Sequence, residues 1–528
     1  MADQPQSPAG PDLAAGIDSA QITEGAMLGG HVGDDAVLLA RAGGRCFAIG
    51  ATCTHYGGPL AEGLLEGEIV HCPWHHAKFS LRTGVAEGPP AIDPVGCWRV
   101  EEKDGRVRVL EKAPPAATPP APSTPNARHS GVPQSVVIVG AGAAGVIAAD
   151  TLRREGYEGS ITIVDGDRDA PVDRPNLSKD YLAGNAPEEW MPMRPDSFFS
   201  DRGIALRRGA RAVSLDIGAK RVRLEDGEDL AFDALLLATG AAPVQLALPG
   251  AGTLPMYTLR TLGDSRTIIR AAEAAGAGGK VVVIGASFIG LEVAASLRAR
   301  NLEVHVVAPE ARPLERILGP AMGDWIRGLH EKHGVVFHLG QKPRELAKDA
   351  VILENGDRLP AAFVVAGVGV RPNVSLAEQA GLALDRGVTV NEHLETSARG
   401  VFAAGDIARY PDARTGAKIR VEHWVAAERE GQTAARNILG AGERFTAVPF
   451  FWSAHYDATI SYVGHAERWD SIAVDGSIEG RDCELRYISQ GRTAAVVTVG
   501  RDKASLEAEV ELGGVKSSNE LGESIIGS

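Results

Sequence analysis

The 528-residue chain holds only five cysteines, at positions 46, 53, 72, 97 and 483. A sparse, odd set does not build a disulfide framework; it suits a reducing compartment and thiolate ligation. Basic residues are also in deficit, with 54 Lys and Arg against 68 Asp and Glu and a net charge of −14. Phosphate backbones are bound by releasing counterions from basic surfaces, so a nucleic-acid partner is not expected. No apolar run reaches the ~18 to 20 residues that a membrane-spanning helix needs. The best stretches, near Leu235 and Val281, are broken by polar or charged residues. Residues Met1 to Ala20 carry acids and neither a basic region nor an apolar core, so they do not read as a secretory or twin-arginine leader. A cytoplasmic protein without a membrane span is expected.

What is present is length and order. A chain this long implies three or four domains with well-buried cores. Residues 112–134 contain seven prolines in 23 positions, the composition of a semi-rigid, extended linker. Ahead of it, short segments such as Ala36 to Leu39, Cys46 to Ile49 and Val107 to Leu110 alternate with glycine-bearing turns, as in a small antiparallel β domain. Behind it, strands alternate with helices. Ser135 to Val139 and Lys280 to Ile284 are apolar β runs, each leading through a glycine turn into a long amphipathic helix. Such a repeated βαβ opening predicts two nucleotide sites.

The densest chemistry is Cys53-Thr54-His55 followed, sixteen residues on, by Cys72-Pro73-Trp74-His75. Each loop offers one thiolate and one imidazole. In a Rieske centre two cysteines bind one iron and two histidines the other, so both loops serve both metals. The competing reading is a Cys2His2 structural zinc site, but zinc ribbons and fingers normally pair like residues within a loop. Cys46 and Cys97 read as core residues, and His71 and His76 as loop or surface residues.

C-T-H-Y-G-G-P-L and C-P-W-H-H-A-K-F-S resemble the Rieske ferredoxin family, which implies Cys53, His55, Cys72 and His75 as ligands of a [2Fe-2S] cluster. Respiratory Rieske proteins carry an extra cysteine in each loop, where Gly58 and Trp74 stand here. The resemblance is therefore to the low-potential clusters that feed reductases and oxygenases.

The first glycine turn, V-V-I-V-G-A-G-A-A-G, offers Gly140, Gly142, Ala143, Ala144 and Gly145 to a pyrophosphate on a helix N-terminus, and Asp165 ends the next strand where a ribose would be met. Segment 173–182 (D-R-P-N-L-S-K-D-Y-L), L-A-T-G at 237–240 and V-F-A-A-G-D-I-A at 401–408 resemble FAD signatures of ferredoxin reductases and apoptosis-inducing-factor-like proteins. That resemblance implies FAD held by Arg174, Lys179, Thr239, Gly240, Gly405 and Asp406. The second turn, V-V-V-I-G-A-S-F-I-G-L-E, offers Gly285, Ser287, Phe288, Ile289 and Gly290, together with Gly367, to the pyridine nucleotide. The family pairs Glu292 with Lys179 at the nicotinamide, which makes these two the candidate catalytic residues. Ala308 stands where NAD-dependent relatives often carry the ribose-binding acid, leaving Glu310 as the nearest carboxylate. Trp424 and Trp452 are placed near the flavin by the same resemblance, with core packing as the alternative.

The order of modules resembles the apoptosis-inducing-factor-like Rieske/FAD oxidoreductases, similar to bacterial ferredoxin–NAD(P)H reductases of oxygenase systems. The implied fold is an all-β Rieske domain (17–111, after a disordered tail at 1–16), the linker, FAD-binding (135–258 and 387–443) and NAD(P)-binding (259–386) Rossmann-like α/β domains of the pyridine nucleotide-disulfide oxidoreductase type, and a small α+β C-terminal reductase domain (444–520). The implied enzyme moves electrons from NADH (or NADPH) through FAD to the cluster and on to an acceptor: an oxygenase, a cytochrome P450, a ferredoxin or a quinone. A homodimer is in keeping with the C-terminal domain. A redox-sensing flavoprotein with little turnover is the alternative. A flavin disulfide reductase or thiol peroxidase is disfavoured, because no cysteine occurs between Cys97 and Cys483.

Overall fold

The computed structural model describes residues 10–114 and 132–514. Most of the proline-rich linker and residues 1–9 of the expected tail lie outside the described residues. The described chain falls into two compact units. One comprises residues 10–114 with Arg154–Gly156 and 501–514, the other residues 132–153 with Tyr157–Gly500.

The first unit is built on a six-stranded antiparallel sheet in the order Ile17–Asp18, Arg106–Lys112, Cys97–Lys103, Arg45–Gly50, Asp35–Ala42, Met27–Val32. Strand alternation sets its faces: Val107 and Val109 are buried while Arg106 and Arg108, which alternate with them, are exposed. A second sheet, Leu64–Glu66, Ile69–His71, Lys78–Ser80 and Ala86–Gly88, carries one of the two Cys/His loops at its Ile69–His71 to Lys78–Ser80 connection. Leu38, Ile49, Leu60, Val70 and Phe79 pack with Cys53 and Cys72 in one core. Each such side chain contributes about 1.5–3 kcal/mol on burial, so both loops spring from a rigid base.

The second unit is built around two five-stranded parallel sheets and one five-stranded antiparallel sheet, with four smaller sheets beside them. The first parallel sheet runs Ile204–Arg208, Ser160–Asp165, Ser135–Val139, Ala234–Leu237, Val401–Ala403. The second runs Met256–Tyr257, Phe363–Ala366, Lys280–Ile284, Glu303–Ala308, Val335–Leu339. Central strands such as Ala234–Leu237 and Phe363–Ala366 are buried throughout, as sheets covered on both faces require. The two expected strand–turn–helix units form, with helices Ala143–Arg154 and Phe288–Ala299 following the glycine turns. Strands Phe450–His455, Ala458–Gly464, Arg492–Val499, Asp482–Ser489 and Ser471–Ser477 make the antiparallel sheet.

Two elements sit across the expected domain limits. Met256–Tyr257 pairs with Phe363–Ala366 in the second parallel sheet, ahead of residue 259. Helix Asp502–Gly513, expected within the C-terminal domain, groups with the first unit. Among the described residues no helix is long and apolar enough to cross a membrane.

Candidate active site

The two Cys/His loops share one backbone frame. Cys53 N donates to the carbonyl of Gly58 and Cys72 N to that of Ala77, each at 2.8 Å. Gly57 N closes back on the Cys53 carbonyl as His76 N does on that of Cys72. Gly57 and His76 occupy matching left-handed positions, with φ of 78° and 61°. The frame sorts the donors by type across the loops. The thiols of Cys53 and Cys72 hydrogen-bond one another, which draws Cys53 down, while the same bond and burial push Cys72 far up. His55 Nδ1 and His75 Nδ1 face each other at 3.2 Å, and burial holds His55 down at about 4. A sulfur pair beside an imidazole pair fits a two-iron cluster with unlike irons. Among the described residues, no three His, Cys, Asp or Glu side chains converge as one metal ion requires. A Cβ at Gly58 would lie 2.7 Å from Cys72 Sγ, so this loop has no room there for a further cysteine.

The expectation for His71 and His76 is corrected. Both are buried, at 1% and 0% exposure. His71 Nε2 lies 3.1 Å from Glu66. His76 pairs through Nδ1 with Glu509 and lies 3.2 Å from Ser505 Oγ, both on helix Asp502–Gly513. With a polar partner at each ring nitrogen, His76 can be buried where a lone imidazole could not. Cys46 and Cys97 are half-buried rather than fully in the core.

In the second unit a cavity of about 1040 Å³ opens where both glycine turns end, outside the carboxyl ends of the strands as in other doubly wound sheets. Gly142, Ala143, Ala144, Arg174, Gly240, Gly405 and Asp406 line it from the first half. Gly140, with φ of 112°, and Gly145 shape the turn from behind: a Cβ on either would meet backbone oxygen at 2.2 and 1.9 Å. Asp165 does not line the cavity; its carboxylate accepts from Ala141 N at 3.2 Å and Asp167 N at 3.1 Å. Thr239 is also set back, its hydroxyl donating to the Asn373 carbonyl at 2.8 Å. Arg174 is lowered to about 10, first by burial and then by the neighbouring guanidinium of Arg260. Arg260 in turn donates to Asp406 at 2.7 Å. Two guanidiniums crowded beside a glycine turn and a helix N-terminus fit a diphosphate, which would relieve their repulsion. FAD therefore fits the residues present, and would supply a centre able to exchange a hydride for single electrons.

Ser287, Phe288, Ile289, Glu292 and Gly367 line the other half. Ser287 caps helix Phe288–Ala299, accepting from Gly290 N at 3.2 Å and donating to the Gly367 carbonyl at 2.8 Å. Gly285 and Gly290 lie behind, pinched against the Gly367 and Gly285 carbonyls. Lys179 Nζ meets Glu292 Oε2 at 2.9 Å. Ser178 donates to the same oxygen and Ser453 to the other, both at 2.6 Å. Trp424 and Trp452 both line the cavity. Glu310 does not. Beyond it, Arg312 is engaged by Asp324 at 2.8 Å and Glu315 at 3.1 Å.

Sequence reasoning missed Arg260, Ser178, Ser453 and His423. Arg260 stands just ahead of a helix N-cap, Thr261, and no local pattern separates it from a surface arginine. His423, half-buried beside Trp424, is held down to about 3 by desolvation.

Comparison with known proteins agrees with this layout. Residues 134–431 match the pyridine nucleotide-disulphide oxidoreductase family, residues 15–99 the Rieske [2Fe-2S] domain and residues 450–510 the reductase C-terminal domain. Apoptosis-inducing factor 3 of Mus musculus is 34% identical over 495 residues, covering 91% of this chain and 80% of that protein. Rhodocoxin reductase of Rhodococcus erythropolis is 36% identical over 379 residues, covering 71% of this chain and 88% of the relative. A crystal structure of the covalent putidaredoxin reductase–putidaredoxin complex matches with a TM-score of 0.69 at 35% identity, covering 74% of this chain and 96% of the other. The chain belongs to the pyridine nucleotide-disulphide oxidoreductase family, and within it is a ferredoxin-reductase-type flavoenzyme with its own Rieske domain, moving electrons from NADH through FAD to an iron–sulfur acceptor.

Proposed function

We propose that the first one-electron acceptor of this flavoenzyme is the Rieske cluster carried on the same chain, and that a separate protein oxidant draws electrons from it. In this reading Cys53 and Cys72 hold one iron and His55 and His75 the other. The FAD diphosphate lies on the Gly140–Gly145 turn against Arg174 and Arg260, with Asp165 behind the turn and Asp406 toward the ribityl chain. The pyridine nucleotide lies on the Gly285–Gly290 turn, and Lys179 and Glu292 face the reacting rings between Trp424 and Trp452. NADH is preferred over NADPH, because Arg312 is already engaged by two carboxylates and Glu310, two residues past strand Glu303–Ala308, would oppose a 2′-phosphate. The observation that carries the reading is the sorting of the donors into a thiol pair and an imidazole pair on a chain that also contains the flavin cavity.

A hydride arrives as an electron pair, a [2Fe-2S] centre takes one electron, and flavin handles both. In the putidaredoxin reductase–putidaredoxin complex the reductase is joined to a partner protein; in this reading the Rieske domain serves as the partner within the same chain. The absence of a disulfide among the described cysteines favours the cytoplasm, and the C-terminal sheet is the candidate surface for a homodimer.

Anaerobic mixing with NADH tests the reading: flavin bleaches first and the cluster second. In Cys72→Ser the second phase disappears with the iron and labile sulfide, while the flavin stays bound. Zinc without labile sulfide, or a cluster left oxidised beside fully reduced flavin, overturns the proposal. A long-lived reduced protein that turns over no one-electron acceptor would instead identify a sensor.

A further inference from the structure

Glu292 is joined to the protein surface by an unbroken series of hydrogen bonds, none of which binding of a nucleotide requires. Ser453 and His455 lie two residues apart on strand Phe450–His455 and so share a face. Ser453 Oγ donates to Glu292 Oε1 at 2.6 Å and stands 3.0 Å from His455 Nε2. His455 Nδ1 is 3.3 Å from His330 Nε2, and His330 Nδ1 is 3.4 Å from the Tyr456 hydroxyl. Ser453, His455 and His330 are all buried, at 1%, 0% and 0% exposure. Tyr456 is half-buried and stacks on the exposed ring of His333, with centroids 3.6 Å apart.

The direction of each bond follows by elimination. Ser453 has one proton and gives it to Glu292, so it accepts from His455 Nε2–H. His455 Nδ1 then accepts from His330 Nε2–H, and His330 Nδ1 from Tyr456. Both imidazoles are neutral: burial, with Lys179 nearby, holds His455 down to about 3, and burial with His455 and His333 nearby holds His330 well below its usual range. Every donor thus points inward, toward the carboxylate. Tyr456 also sits at φ 58° in the turn that closes the hairpin, a left-handed conformation that a bulky side chain adopts only when its surroundings impose it.

We propose that Ser453, His455, His330 and Tyr456 are a proton relay between solvent and Glu292 that matches the charge of the flavin site to its electron content. The proposal rests on the placement of Glu292 at the flavin. A hydride brings two electrons and one proton into the cavity and leaves it one negative charge richer. Transfer of each relay proton one bond inward places a proton on Glu292 and leaves the Tyr456 oxygen to take one from water. When the two electrons leave singly, that proton and the hydride's proton return to solvent. The balance is NADH to NAD⁺, two electrons and one proton. Lys179, Ser178 and Ser453 surround the carboxylate, and Ser453 connects it to the relay.

The test uses the FAD-loaded enzyme. Mixed anaerobically with NADH beside a pH-indicator dye, the wild type takes up protons as its flavin bleaches. Electrochemical reduction without nucleotide, followed by infrared difference spectroscopy, shows a protonated-carboxyl band that is absent in Glu292→Gln. Ser453→Ala slows proton uptake on the order of 100-fold, the scale of one positioned proton transfer, and Ser453→Thr restores it. Tyr456→Phe slows it as well, at the solvent end. If wild-type flavin bleaches with no proton uptake and no carboxyl band, or if Ser453→Ala takes up protons at the wild-type rate, the relay is wrong. If NADH fails to bleach the wild-type flavin at all, the functional reading fails first.

Discussion

The two glycine turns are built on the same plan and used differently. Each follows an apolar strand, each begins with a glycine in left-handed backbone, φ 112° at Gly140 and 107° at Gly285, and each has its last glycine pinched against the carbonyl of its first. They diverge at the middle position and at the end of the next strand. Gly142 leaves the first turn open toward Arg174, whose guanidinium lies 3.2 Å from where a Cβ would be. Ser287 fills the second turn and caps its helix. The first following strand ends in Asp165, bonded back to the turn; the second ends in Ala308, with Glu310 beyond it outside the cavity. The shared features make the fold, and the divergent ones select the ligand.

Substitution at the shared positions breaks both halves alike and has the largest expected effect. In Gly145→Val the new Cβ would lie 1.9 Å from the Gly140 carbonyl oxygen, and in Gly290→Val 2.2 Å from that of Gly285. Backbone cannot yield as a flexible side chain can, so each variant should lose more than about 3 kcal/mol of stability and give insoluble or unfolded protein on expression. Folded Gly145→Val with its flavin bound would contradict this account of the turn.

At the divergent middle position the effect should fall on the ligand and spare the fold. Gly142→Val pushes only on the mobile end of Arg174 and enters the cavity. The apoprotein should fold with near wild-type circular dichroism and lose FAD affinity on the order of 100-fold, about 2.7 kcal/mol, read by flavin fluorescence on titration. The contrast with Gly145→Val separates a glycine needed for packing from one needed for the ligand.

How much of this was legible in the sequence follows the same division. Gly140, Gly145, Gly285 and Gly290 are visible because local backbone geometry alone demands glycine there. The pattern of Cys53, His55, Cys72 and His75 is legible because its spacing is local within each loop. Arg260 was not, since it reaches Asp406 across 146 residues of chain. Ser453 and His455 were not, because their partners, Glu292 and His330, come from distant elements. His76 misled for the same reason: its burial depends on Glu509, 433 residues away. For Thr239 and Asp165 the side chain is drawn away from the cavity by Asn373 and Ala141, partners that the local pattern does not show.

A smaller effect is expected at the end of the second strand. Glu310→Gln removes the acid proposed to oppose a 2′-phosphate, while Arg312 stays engaged by Asp324 and Glu315. Discrimination against NADPH should relax about fivefold in kcat/KM, the scale of one charge pair acting through solvent. An unchanged NADH to NADPH ratio would show that Glu310 does not read the ribose.

The smallest effect belongs to Asp165, and its sign distinguishes a ligand-binding carboxylate from a structural one. Burial raises its pKa above the usual carboxylate value, and the backbone bonds from Asp167 and Ala141, with the Coulombic pull of Arg174, only partly offset that rise. A group that binds its proton more tightly in the folded state stabilises the fold as pH drops through its raised pKa, and costs stability above it. Asp165→Asn keeps an acceptor for Ala141 N and removes the buried charge. The apoprotein should therefore melt slightly higher than wild type at neutral pH, by no more than about 2 °C, and this advantage should shrink as pH falls and the wild-type carboxyl takes up its proton. FAD affinity should fall in the same variant, because a neutral amide neither orders the turn as strongly nor balances Arg174. Thermal melts of apoprotein across the acidic range, paired with flavin titrations, give both quantities. A variant that melts lower than wild type at neutral pH and keeps its flavin would make Asp165 a structural brace and leave the two turns alike in this respect.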